Sequence, residues 1–120
     1  MIDLSIIIVE YRSLDEIENC IKSFRNNVGV LHEIIVSSNS EYSSEEKERI
    51  LSIYSDAVWI FNSRNGGFAY AMNEGLKIAK GNYMAIMNSD CTINSSLSEM
   101  VAFMNKHPFV GAIAPKMLDN

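Results

Sequence analysis

The run Tyr83-Met84-Ala85-Ile86-Met87 is apolar throughout and stops abruptly on Asn88-Ser89-Asp90. It shows no apolar/polar alternation, which suits a strand covered on both faces by helices in a parallel sheet better than a half-solvated antiparallel one. In such sheets ligands sit beyond the carboxyl ends of the strands, so Asn88, Ser89 and Asp90 fall where chemistry is expected.

Two earlier segments repeat the pattern. Leu4 to Val9 is β-branched and apolar and runs into Glu10-Tyr11-Arg12; Glu33 to Val36 runs into Ser37-Ser38-Asn39-Ser40. Helical spacing separates them. Ser13-Leu14-Asp15-Glu16 has the form of a capping box, and Leu14, Ile17, Ile21 and Phe24 then recur at three- and four-residue intervals until Asn26, Asn27 and Gly29 end the helix. Ser43-Ser44-Glu45-Glu46 is a second capping box, opening a helix with Ile50, Leu51 and Tyr54 inward, and Ala57 to Phe61 reads as a third strand. Asn65-Gly66-Gly67 feeds a third helix with a stripe of Ala69, Met72, Leu76 and Ala79, and Gly81 is expected as its left-handed cap. After Asp90, Asn94-Ser95-Ser96 can cap a fourth helix with Leu97, Met100, Val101 and Met104 on its face, closed by Pro108; Val110 to Ala114 can form a fifth strand. Alternating strands and helices predict right-handed crossovers and an open, mainly parallel α/β sheet with helices on both faces, the first strand central.

With 120 residues, 48% of them hydrophobic and 21% charged, the chain is expected to be one ordinary globular domain, 1–120. A net charge of −5 without any Lys/Arg cluster argues against nucleic-acid binding. No apolar run reaches the roughly 20 residues of a membrane span, and Met1-Ile2-Asp3 opens without a basic signal segment, so a cytoplasmic location is expected, extended to the membrane periphery for a full-length protein. Cys20 and Cys91 lie far apart and read as reduced thiols.

Three polar loops, at 10–13, 37–40 and 88–90, should converge on one edge of the sheet. There Asp90 is a hard oxygen ligand suited to Mg²⁺ or Mn²⁺, although a turn residue is the simpler reading of a strand-end Asp. Asn65-Gly66-Gly67 ahead of a helix can bring backbone N–H groups to a phosphate, or can be a plain turn, since neither full glycine-rich phosphate motif is present. Tyr11 can stack on a base or simply cover the sheet edge. His32 and His107 stand apart from any partner, and no Ser/His/Asp set is legible.

The order of these pieces resembles the amino-terminal half of family-two glycosyltransferases, inverting enzymes of GT-A fold that use nucleotide-sugar donors, and in particular their rhamnosyltransferase-like branch. Ser5-Ile6-Ile7-Ile8-Val9-Glu10-Tyr11-Arg12-Ser13 is similar to that family's S-I-I-I-V-N-Y-N-S. Asn65-Gly66-Gly67-Phe68-Ala69 with Asn73 and Gly75 is similar to N-x-G-F-A-x-A-x-N-x-G. Ala79-Lys80-Gly81-Asn82-Tyr83 followed by Asn88-Ser89-Asp90 resembles A-K-G-x-Y and N-P-D, the variant of the metal-binding D-x-D; Phe103 to Pro108, Val110-Gly111 and Pro115-Lys116 follow the usual sequel.

The resemblance implies a Rossmann-like, nucleotide-diphospho-sugar transferase fold and a sugar transfer from a UDP- or dTDP-sugar to a hydroxyl of a glycan or lipid-linked acceptor, with inversion. It places Tyr11 against the donor base, Asn65, Gly67 and Asn88 in the donor pocket, and Asp90 on a divalent cation, Mn²⁺ or Mg²⁺. Where the family has V-D-N-x-S this chain has Ser37-Ser38-Asn39-Ser40, so Ser38 replaces the carboxylate that holds base and ribose. The acceptor-binding half and its general base are expected beyond Asn120, which leaves no catalytic residue in this segment. A non-catalytic nucleotide- or nucleotide-sugar-binding module is the competing expectation. Apolar Val110, Ala112, Ile113 and Met117, uncovered by such a truncation, are expected to favour a homo-oligomer.

Overall fold

A computed structural model describes residues 1–25, 27–116 and 118; Asn26 and Met117, invoked above, lie outside the described residues. Four strands, β1 (Leu4–Glu10), β2 (His32–Ser38), β3 (Val58–Phe61) and β4 (Tyr83–Asn88), alternate with helices α1 (Leu14–Phe24), α2 (Ser44–Ile53), α3 (Phe68–Ile78) and α4 (Ser98–Lys106). All pairings are parallel, in the order β3-β2-β1-β4. The expected α/β sheet is therefore present, with β1 flanked by β2 and β4.

Strand parity sorts the core into two layers. Ile6, Ile8, Ile34 and Val36 meet Ile17, Cys20, Ile21 and Phe24 of α1 on one face. On the other, Ile7, Val9 and Ile35 meet Ala71 and Met72 of α3. Helix α3 comes close enough for a Cβ on Gly75 to sit 2.6 Å from the Ile7 Cγ2, so a glycine is needed at that contact. Its inward stripe is Ala71, Met72 and Gly75, with Leu76 and Ala79 half-buried, whereas Ala69 is exposed. Leu51 of α2 also faces solvent, and Ile50 alone of that helix is buried.

Several local expectations are corrected. Strand β4 is not covered on both faces: Tyr83, Ala85 and Met87 turn inward, but Met84 is 41% and Ile86 58% exposed. Helix α3 packs over β1 and β2, leaving that face of the edge strand bare. The Ser13 box does not form, because the Ser13 N–H donates to Glu10 Oε2 at 2.7 Å and its hydroxyl to Ser89 Oγ at 3.1 Å. Gly81 is not a left-handed cap. Helix α3 ends against Ala79 in extended geometry, and a Cβ on Gly81 would fall 2.5 Å from the backbone nitrogen of Ser5. Glu33 closes the same corner, accepting from Ser5 Oγ and Lys80 N–H, each at 2.6 Å. Helix α4 begins at Ser98 rather than after Asn94, with Ser96 Oγ accepting from Ser98 N–H at 3.1 Å. Val110 to Ala114 carry no strand: the turn at His107 takes the Val110 N–H, and Gly111 interrupts the run. Among the described residues no helix is long and apolar enough to cross a membrane.

Candidate functional site

The carboxyl ends of β1 and β2, the loop before α3 and the loop after β4 enclose a cavity of about 450 Å³. Val9, Tyr11, Arg12, Ser13, Glu16, Asn39, Asn65, Gly67, Phe68 and Ser89 line it. The expected convergence of the three polar loops is thus present. Tyr11 sits at the rim, half-exposed, with the Arg12 guanidinium 5.9 Å from its ring centroid.

Gly67 closes the side formed by α3. Its φ of 92° and ψ of 176° lie in a region that is essentially glycine's own, and open space surrounds the position of a Cβ, so backbone conformation alone requires glycine there. Asn65 Oδ1 accepts from the Gly67 N–H at 3.4 Å, and the Gly67 carbonyl accepts from Asn39 Nδ2 at 3.0 Å. Asn39 Oδ1 in turn accepts from Asn62 Nδ2, which also reaches Ser37 Oγ, both at 3.0 Å. This buried ladder fixes which way the Asn39 amide faces. The amino end of α3 opens on the same cavity, where unpaired N–H groups and the helix dipole favour an anion.

Glu10 lies beneath the cavity wall and is fully buried. Its Oε1 accepts from Ser38 Oγ at 2.5 Å and Ser40 Oγ at 2.8 Å, and its Oε2 from Ser13 N–H at 2.7 Å and the Tyr42 hydroxyl at 2.9 Å. Burial pushes the Tyr42 hydroxyl up to about 12, with the neighbouring Glu10 acting in the same direction.

Of the residues expected in a donor pocket, Tyr11, Asn65 and Gly67 line the cavity. Ser38 does not. It shares the Glu10 face of the sheet, and its hydroxyl is engaged by that carboxylate. Its neighbour Asn39 has the place in the wall, a consequence of strand parity that the residue types alone did not reveal. Asn88 pairs with Val9 in register but is exposed and outside the lining; Ser89 is inside it. Ser89 Oγ also approaches Glu16 Oε2 at 3.4 Å, which makes Glu16 the one carboxylate among the lining residues, and helical spacing had placed it only in a cap.

Asp90 is exposed just past β4, with Cys91 Sγ 3.8 Å from its Oδ1. Among the described residues no three His, Cys, Asp or Glu side chains form a metal-holding group. A lone, accessible carboxylate fits a cation whose other positions are filled by ligand phosphates and water, and does not fit one caged by protein. Cys20 and Cys91 are both free thiols.

The family model for Glycosyl transferase family 2 matches residues 5–118. An uncharacterised glycosyltransferase of Rickettsia conorii is 29% identical over 104 residues, covering 86% of this chain and 17% of that protein. The glycosyltransferase YibD of Escherichia coli, also uncharacterised, is 26% identical, with 84% and 30% covered. The chain thus spans less than a third of these relatives. Among solved structures, TarS 1–349 of S. aureus superposes with a TM-score of 0.74 at 21% identity, over 96% of this chain and 39% of that one. The same protein in complex with UDP-GlcNAc gives 0.70 at 20% identity, over 96% and 37%. The mannosyltransferase PcManGT of Pyrobaculum calidifontis, in complex with GDP-Man and Mn²⁺, gives 0.66 at 17%, over 83% and 31%. The architecture is that of GT-A nucleotide-diphospho-sugar transferases, and with a family match over nearly its whole length the chain belongs to glycosyl transferase family 2.

Proposed function

We propose that this chain is the donor-binding half of an enzyme that moves a sugar from a nucleoside-diphosphate sugar to an acceptor hydroxyl with inversion. The observation that carries the reading is the cavity itself, which sets an aromatic rim, a fixed amide and a helix amino terminus around one space. Tyr11 offers its ring to the base, Asn39 offers an amide edge, and the N–H groups opening α3 face the diphosphate. Neighbours of the same fold, solved in complex with UDP, UDP-GlcNAc or GDP-Man, support a nucleotide-sugar donor. UDP- or dTDP-sugars are the donors we favour, with a glycan or lipid-linked acceptor in the cytoplasm or at the membrane periphery.

In the transfer, the acceptor oxygen forms a bond to the anomeric carbon as the bond to the diphosphate breaks, and a base takes the acceptor proton. The donated N–H groups hold charge on the departing diphosphate. Asp90 is the residue that would hold a divalent cation, which supplies further charge neutralisation on the donor phosphates when bound. No residue here is assigned as the base. Glu16 lies in the cavity wall but is directed to Ser89.

Calorimetric titration of UDP and dTDP in the presence of Mn²⁺, on the wild type and on Asp90→Ala, tests the reading. Binding to the wild type that weakens by about tenfold or more in the variant is expected for loss of a charged ligand to the cation. Equal binding by both removes Asp90 from the site. A non-catalytic binding module is the second reading, favoured by Ser38 standing where the resemblance expects a carboxylate. The isolated chain is expected to show no sugar transfer under either reading, so measurable transfer by it would mean that a base is present after all.

A further inference from the structure

We propose that Glu10 is a positioning residue for the nucleotide, a buried anchor that presets Tyr11 and Asn39 before any ligand arrives; the ligand part of this rests on the donor-binding reading above. Ser40 Oγ donates to Glu10 Oε1 and accepts from Arg12 N–H at 2.6 Å, while Ser38 Oγ donates to the same oxygen and accepts from Ser40 N–H at 3.3 Å. Each hydroxyl therefore relays a backbone N–H toward the carboxylate. Ser13 N–H reaches the other carboxylate oxygen directly.

A carboxylate accepts at both oxygens and donates nothing, which is what four converging donors require. It thereby ties the backbone just after Tyr11, at Arg12 and Ser13, to the backbone that follows Asn39, at Ser40. The main chain adds one more tie, from Asn39 N–H to the Glu10 carbonyl at 2.8 Å. Tyr11, Arg12, Ser13 and Asn39 line the cavity while Glu10 does not, so Glu10 acts on a ligand only through these neighbours. Glu10 and Ser38 are also partners in register, so a carboxylate on β1 occupies the cross-strand pair in which Ser38 supplies only a hydroxyl.

An amide at position 10 keeps the shape but inverts one side of the relay. Its NH₂ must donate, and it then faces either the Ser13 N–H, which cannot turn round, or the Ser38 and Ser40 hydroxyls, whose own hydrogens point at it and would have to turn away. The experiment is amide hydrogen exchange by NMR on the unliganded chain, wild type against Glu10→Gln, followed by titration of each with UDP plus Mn²⁺ and with pyrophosphate plus Mn²⁺. In the variant, exchange at Arg12, Ser13 and Ser40 is expected to quicken by about tenfold while Ile7 and Ile35 at the sheet centre keep their protection. UDP affinity is expected to fall by about tenfold and pyrophosphate affinity to stay within about twofold, because the Glu10 carboxylate bonds to Ser13, Ser38, Ser40 and Tyr42 and not to the α3 terminus or Asp90.

Unchanged exchange at the three loop amides overturns the anchor, and so does an equal loss of both ligands, which a general loosening of the fold would produce. Should Glu10→Gln not fold, Tyr42→Phe removes a single donor to the carboxylate, and the same amides must then shift in the same direction, by less. A wild type that binds no nucleoside diphosphate overturns the donor-binding reading and the ligand part of this one, while the exchange comparison, made without ligand, decides the anchor separately.

Discussion

At the scale of single residues, the glycines and one thiol separate motif from mechanism. Asn65-Gly66-Gly67 was legible as a phosphate-approach candidate, but only the backbone shows why the second glycine is needed: its φ of 92°. Gly67→Ala is expected to cost about 1–3 kcal/mol of stability in urea unfolding. Gly81 was legible as a required glycine for the wrong reason. Its position against the backbone of Ser5 makes Gly81→Ala an overpacking change of about 1–3 kcal/mol, and an alanine variant of full stability would contradict that close approach. Cys20 was read from the sequence only as a reduced thiol. Its burial, with Cys91 and Asp90 nearby, pushes the thiol from an ordinary 9.0 up to about 12. The contribution is complete below 9.0 and is lost as pH rises toward 12, because the unfolded chain releases the proton first. Stability should therefore fall by at most about 1.4 kcal/mol per pH unit across that window, and Cys20→Ala should flatten this part of the urea-midpoint profile.

Elements differ in how much of their making is local. The capping box at Ser43 is complete, with Ser43 Oγ accepting from Glu46 N–H at 3.2 Å and Glu46 Oε1 from Ser43 N–H at 3.0 Å, so it was readable from four consecutive residues. Its twin at Ser13 was not, since a carboxylate three residues upstream and a hydroxyl from the loop after β4 take its groups. Ser43→Ala should lower thermal stability by about 1 kcal/mol, whereas Ser13→Ala removes no cap bond and should cost less. The same box holds Glu46 below its ordinary 4.5, through the Ser43 backbone and then its hydroxyl. That stabilisation is present above 4.5 and disappears as pH falls through the lowered value, so Glu46→Gln should remove one component of the acid limb.

For the whole molecule, the alternation of strand and helix made the parallel sheet legible, but not which strand stands at the edge. Position 38 illustrates the limit: the loop was foreseeable, the side of the sheet on which Ser38 or Asn39 emerges was not. The anticipated apolar surface is present in part, because Val110 and Ile113 are half-buried and Ala112 is exposed, and larger contributions come from Met84, Ile86 and a fully exposed Phe109. With β4 also lacking a strand partner on its outer side among the described residues, the isolated chain is expected to self-associate as concentration rises, a homo-oligomer that light scattering would detect. Ile86→Lys should shift it toward monomer, and a clean monomer at every concentration would refute the exposure argument.

The strand order also sets a sequence of events in time. Contacts that join β1 to β2 span 28 residues, as from Ser5 to Glu33, whereas those that bring the β4 end home span 76, as from Ser5 to Gly81. Closing the longer loop carries about 0.9 kcal/mol more entropy, and among the described residues β4 pairs with β1 alone. The walls of the cavity are thus born apart: the β1–β2 ends that carry Tyr11 and Asn39 can pair within the first forty residues, while Ser89 joins only when the last strand docks. A newly refolding chain should protect its β1–β2 amides first, and pass through an interval in which the Tyr11 and Asn39 side is shaped and the Ser89 side is still unmade.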